Sequence, residues 1–71
     1  MKLGDFLREK RLARGLSQDE LARLVGIHRL TVSRYERGYQ VPTLRDLMVM
    51  KRFLRFKWTE LDQFEFDERL G

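Results

Sequence analysis

An all-α fold, a compact bundle of five short helices, is what this sequence predicts, and three observations predict it. Apolar residues recur at three- and four-residue spacing along the chain, and the one alternating stretch, Phe64-Glu65-Phe66, is too short to stand for a strand. Two pairs, Ser17 with Glu20 and Thr43 with Asp46, have the spacing of a reciprocal helix-start cap. Glycines at 15, 26 and 38 follow the last apolar residue of each periodic run, where helices stop. No repeat, linker or low-complexity tract divides the 71 residues, so residues 1–71 read as one domain.

Leu3, Phe6 and Leu7, with Lys10 or Arg11, predict a first helix over residues 3–14, closed by Gly15, with Leu16 plugging the core. Arg11 falls at the border of that buried stripe, where an unpaired guanidinium is costly. Glu36 is the available acid in an Arg-rich stretch, so an Arg11–Glu36 ion pair clamping the first helix to the third is expected; the alternative is that both are exposed. Residues 18–37 form the central unit, two short helices joined by a tight turn at Gly26. Leu21, Ala22 and Val25 give the first of them an apolar face, with Leu24 outside it. Val32 and Tyr35 point inward from the second, over residues 29–37, and leave Arg29, Leu30, Ser33 and Arg34 on the opposite face. That face is cationic and short-branched, which suits a DNA major groove.

Residues 39–42, Tyr-Gln-Val-Pro, form a loop that brings backbone N–H groups and a Tyr hydroxyl near any phosphate the preceding helix approaches. Thr43 then caps a fourth helix running to about residue 54, with Leu44, Leu47, Met50 or Lys51, and Leu54 inward. Met48, Val49 and Phe53 widen its apolar surface, so the helix is either sandwiched or keeps a patch for a partner. Phe56 returns to the core, and residues 58–64 make a short fifth helix with Leu61 facing in.

The charge is unevenly placed. Residues 1–57 carry 14 Lys or Arg against 6 acids, whereas residues 58–71 carry one Arg against five acids. A basic body attracts a polyanion and its acidic tail is expected to point away from it; the alternative is an ordinary solvated surface. The lack of cysteine leaves no disulfide or thiolate chemistry. No apolar run is long enough for a membrane span and Met1-Lys2-Leu3-Gly4-Asp5 does not look like a signal peptide, so a cytoplasmic, nucleoid-associated protein is expected. With one His and no Cys there is no nucleophile and base constellation, which argues against an enzyme. No cofactor, metal or small-molecule ligand is expected, and His28, at the helix-start position before Arg29, reads as a poor cap or a solvent-facing ring.

Arg11, Gly15-Leu16-Ser17-Gln18, Glu20-Leu21-Ala22, Val25-Gly26, Val32-Ser33, Glu36-Arg37-Gly38, Pro42, Leu47, Leu54 and Leu61 stand in a fixed order and spacing. In these the chain resembles, over residues 3–61, the helix-turn-helix domains of the phage repressor and Cro type, the Xre-like family. The resemblance implies a lambda-repressor-like bundle whose second and third helices bind DNA. It implies that Arg29, Leu30, Ser33 and Arg34 read bases, that Gln18 contacts a phosphate, and that Arg11 and Glu36 form a buried pair. Lys51, Phe53 and Arg55 depart from the family's preference for small residues or Gly.

The function expected is sequence-specific binding of double-stranded DNA as a transcriptional regulator, a small Cro-like repressor reading a palindromic operator, with Gln18, Arg14, Arg37, Tyr39 and Gln40 gripping phosphates. A restriction controller or an antitoxin fits the same reading, and a coactivator-type protein-interaction module is the alternative from another class. One such domain offers little interface, so a homodimer is expected, with Trp58, Phe64 and Phe66 as contact candidates or, alternatively, as core.

Overall fold

In a computed structural model that describes residues 1–64, the helices follow the capping and glycine signals closely. They are α1 (Leu3–Ala13), α2 (Gln18–Val25), α3 (Arg29–Arg37), α4 (Leu44–Leu54) and a final 3-10 helix, Trp58–Gln63. Among the described residues there is no strand. Ser17 starts α2 with a full capping box: its hydroxyl accepts from the Glu20 amide at 3.0 Å and Glu20 accepts from the Ser17 amide at 2.9 Å. Gly26 ends α2 at φ 82°, a left-handed turn that carries the chain into α3. The end of α4 is different, because Arg55 occupies the left-handed region at φ 59° where a glycine is usual, at a cost of roughly 1–2 kcal/mol.

Phe6, Leu7, Leu21, Val25, Val32 and Met50 lie at the centre of the core, with Leu54, Phe56 and Leu61 closing it. Helix α3 packs on both α1 and α2, and α2 also meets α4. Contact between α1 and α3 is close enough to require glycine at position 4. A Cβ there would stand 2.5 Å from the Glu36 carbonyl oxygen and 2.6 Å from that of Tyr35, both main-chain atoms. The expected fifth helix is present, as the 3-10 helix over Trp58–Gln63. Two expectations are corrected here. Leu44 is 57% exposed and not part of the inward stripe of α4, since it sits in the first turn beyond the reach of the core. Thr43 caps α4 through the Asp46 amide at 3.1 Å, but the Asp46 carboxylate does not return to it and bonds elsewhere.

Two polar anchors join α3 to its neighbours. Arg11 donates from Nε and Nη2 to the two carboxylate oxygens of Glu36, at 2.7 and 3.0 Å, and from Nη1 to the Leu16 carbonyl at 2.8 Å. Gln18 adds a bond from Nε2 to Glu36 Oε1 at 3.1 Å. On the other side, the Tyr35 hydroxyl donates to Asp46 Oδ2 at 2.6 Å. No buried side-chain N or O among the described residues lacks a partner.

Both anchors carry measurable consequences. Arg11→Met leaves the Glu36 carboxylate buried without its counter-charge and loses about 3–5 kcal/mol of stability, whereas Arg11→Met combined with Glu36→Met recovers much of that loss; urea denaturation of the three variants measures both. Burial, reinforced by the carboxylate that accepts its proton, pushes the Tyr35 phenol up to about 12 from its ordinary 10. The unfolded chain releases this proton first, so the stability advantage of the parent over Tyr35→Phe is complete below pH 10 and shrinks as pH rises from about 10 to about 12. Denaturation at a series of alkaline pH values reads that difference, and about 2–3 kcal/mol of it disappears across the window.

Candidate nucleic-acid interface

The inward side of α3 is set by Val32, Tyr35 and Glu36, all buried, and this decides what its outward side presents. Arg29, Leu30, Arg34 and Arg37 are exposed and Ser33 is half-buried on the flank. Leu30, 48% exposed, stands among these cations as an apolar side chain. Of the four residues expected to face bases, Arg29, Leu30 and Arg34 therefore lie on the open side of one helix with Ser33 at its flank, and the only acid of α3, Glu36, is turned into the core and neutralised by Arg11. An arginine on such a face can bond the O6 and N7 of a guanine together, and a leucine can pack on a thymine methyl.

The start of α3 is capped by His28, whose Nδ1 accepts from the Leu30 amide at 3.0 Å. The imidazole thus performs the task usual for Ser or Asp, so of its two expected readings the poor cap is corrected and the solvent-facing ring is found. Its ring is exposed beside Arg29 and Leu30. Among the described residues no cluster of His, Cys, Asp or Glu could hold a metal.

A polar hollow lies between α1, the start of α2 and the end of α3. It brings together Gln18, Arg37 and Tyr39 from the expected phosphate set, over a floor of Arg11 and Glu36. Arg37 is stacked on the Tyr39 ring, 4.7 Å from its centroid, and donates from Nη2 to the Tyr39 hydroxyl at 3.1 Å, which holds both at the rim. Arg14 and Gln40 are exposed but do not line it. The loop's backbone donors behave differently from expectation. The Tyr39 and Gln40 amides bond the Arg34 carbonyl, at 2.9 and 3.3 Å, and close the end of α3 instead of facing outward. Gln18 likewise has a second occupation, since one of its amide donors is turned to Glu36.

Lys2 and Arg8 also line the hollow, with Asp5, and sequence reasoning had not included them. Arg8 precedes Arg11 by three residues, so placing Arg11 against α3 puts Arg8 one turn away on the same flank; that spacing was the available signal.

Of the three aromatic residues expected as contact candidates, the two that are described differ in their surroundings. Trp58 is 45% exposed, with the Lys51 ammonium 5.3 Å from its ring centroid. Phe64 is half-buried and packs edge-on against Phe6, 5.3 Å between centroids, so its ring belongs to its own bundle and not to a free contact surface. Phe66 lies outside the described residues. Beside Trp58, Leu44, Met48 and Val49 line an apolar groove flanked by Arg45, Lys51 and Arg52.

The helix-turn-helix family model matches residues 7–61 of this chain. Among solved structures, the restriction-modification controller protein C.AhdI from Aeromonas hydrophila is 39% identical and superposes with a TM-score of 0.75, over 83% of this chain and 89% of that one. No curated protein matches the chain significantly. With most of its length matched by the family model, and with the turn at Gly26 presenting an open cationic helix, the chain belongs to the helix-turn-helix family.

Proposed function

We propose that this protein is a transcriptional regulator that binds double-stranded DNA in a sequence-specific manner, with α3 in the major groove. The observation that carries this reading is the outward side of α3, where Arg29, Leu30 and Arg34 are exposed together and no acid accompanies them. Arg29, Leu30, Ser33 and Arg34 contact base edges. Gln18, Arg37 and Tyr39, joined by Lys2 and Arg8, hold the phosphates beside the groove, with Arg14 and Gln40 reaching the backbone further out. Of the regulators compatible with this fold, the likeness to C.AhdI favours a restriction-modification controller over a phage-type repressor or an antitoxin.

One copy presents one short reading helix, so the functional unit is a homodimer on a palindromic site, with half-sites about 34 Å apart. The apolar groove along α4 supports the contact surface. Leu44 at 57%, Met48 at 53% and Trp58 at 45% exposure form a continuous apolar strip beside half-buried Val49, an arrangement that marks interaction sites more than isolated exposed residues do.

Selection of bound sites from random duplexes yields a two-fold symmetric sequence. On that duplex Arg34→Ala costs about 1–3 kcal/mol and relaxes preference at one base pair per half-site. Affinity of the parent falls about a thousandfold between 50 and 200 mM salt if a dimer makes roughly six phosphate contacts. Mobility shift measures all three; equal affinity for every duplex at each salt concentration would sink the reading in favour of a protein-interaction module. Met48→Glu places a charge in the α4 strip, and sedimentation should then show a folded monomer with weakened operator binding, while the parent sediments as a dimer.

A further inference from the structure

Two neighbouring residues of α3 are tethered in different directions. Glu36 is held by Arg11 of α1 and Gln18 of α2. Tyr35, about 100° away around the helix, is held from α4 through Asp46 Oδ2 at 2.6 Å. The bonds continue from there: Arg45 Nη1 donates to Asp46 Oδ1 at 2.9 Å and to the Val25 carbonyl at 2.8 Å. Val25 is the last residue of α2, so one hydrogen-bonded chain runs from the last turn of α3, through the first turn of α4, to the end of α2. Asp46 is only 7% exposed, although an exposed polar residue would serve equally well in the first turn of a helix.

Apolar packing is non-directional and resists a small rotation of α3 about its own axis only weakly, whereas hydrogen bonds weaken steeply with angle. A single tether leaves the helix free to roll about it. Two tethers at different azimuths remove that freedom. The lever is long: with the backbone at a radius of about 2.3 Å and an arginine tip several ångströms beyond, a roll of about 10° moves the guanidinium by about 1.5 Å. A bidentate contact to a guanine does not survive such a shift, while long-range attraction to phosphates changes little.

We infer that Tyr35, Asp46 and Arg45 are positioning residues that fix the roll of α3, so that discrimination between base sequences on its outer face depends on a hydroxyl on its buried face. This rests on the base-reading role proposed for α3. The test uses two duplexes, the one selected by the parent protein and a scrambled duplex of equal length and composition, at temperatures well below each variant's unfolding midpoint. Tyr35→Phe loses about tenfold in affinity for the selected duplex, stays within about twofold on the scrambled one, and keeps its salt dependence. Arg45→Met, at a side chain 62% exposed on the flank of the α4 groove, shows the same split while sedimenting in the same state as the parent. Asp46→Asn, which keeps an acceptor for the hydroxyl, retains more of the preference than Asp46→Ala. A common factor lost on both duplexes, or an unchanged ratio in Tyr35→Phe and Arg45→Met, overturns the inference. A parent protein that prefers no duplex removes the base-reading premise and this inference together, whereas a discriminating parent with equally discriminating variants removes the inference alone.

Discussion

A guanidinium and a carboxylate can sit inside this small bundle because the bonds between Arg11 and Glu36 replace the water both have lost. Two parallel bonds join them, the Leu16 carbonyl takes a third donor, and Gln18 meets the remaining demand of the carboxylate. Such a pair adds little net stability over well-packed apolar residues, but it is intolerant of misplacement. That intolerance is its structural value. It brings α1, the α1–α2 connection, the start of α2 and the last turn of α3 to one point, and it removes the only negative charge α3 would otherwise show to a polyanion.

Much of this was legible from residue order. Ser17 with Glu20, Gly26 and Gly38 delimit the central helices by local chemistry alone, and local chemistry is what a linear sequence displays. The outward face of α3 could be read because Val32 and Tyr35 define its opposite. Arg11 could be matched to Glu36 because a charge at the border of an apolar stripe demands a partner, and few acids were available in that part of the chain.

What escaped the reading depends on contacts between distant elements. Asp46 has the spacing of a capping residue, but a buried tyrosine on α3 competes for its carboxylate and wins. Leu44 fits the period of α4 and yet projects past the end of the core. Phe64 resembles a free aromatic in an acidic tail until Phe6, nearly sixty residues earlier, is found beside it. Arg8 and Lys2 join the hollow only once α1 has been laid against the end of α3.

The bare main chain at Gly4 governs the width of that hollow. Because no methyl group stands between α1 and the carbonyls of Tyr35 and Glu36, the first turn of the protein lies flush on the last turn of α3. Lys2 and Arg8 consequently share one opening with Arg37 and Tyr39, although the two sets are separated by nearly thirty residues of chain. Any side chain at position 4 would act as a wedge, tilting α1 outward and spreading these cations apart. A single hydrogen in place of a carbon thereby sets the gauge of the cationic gap.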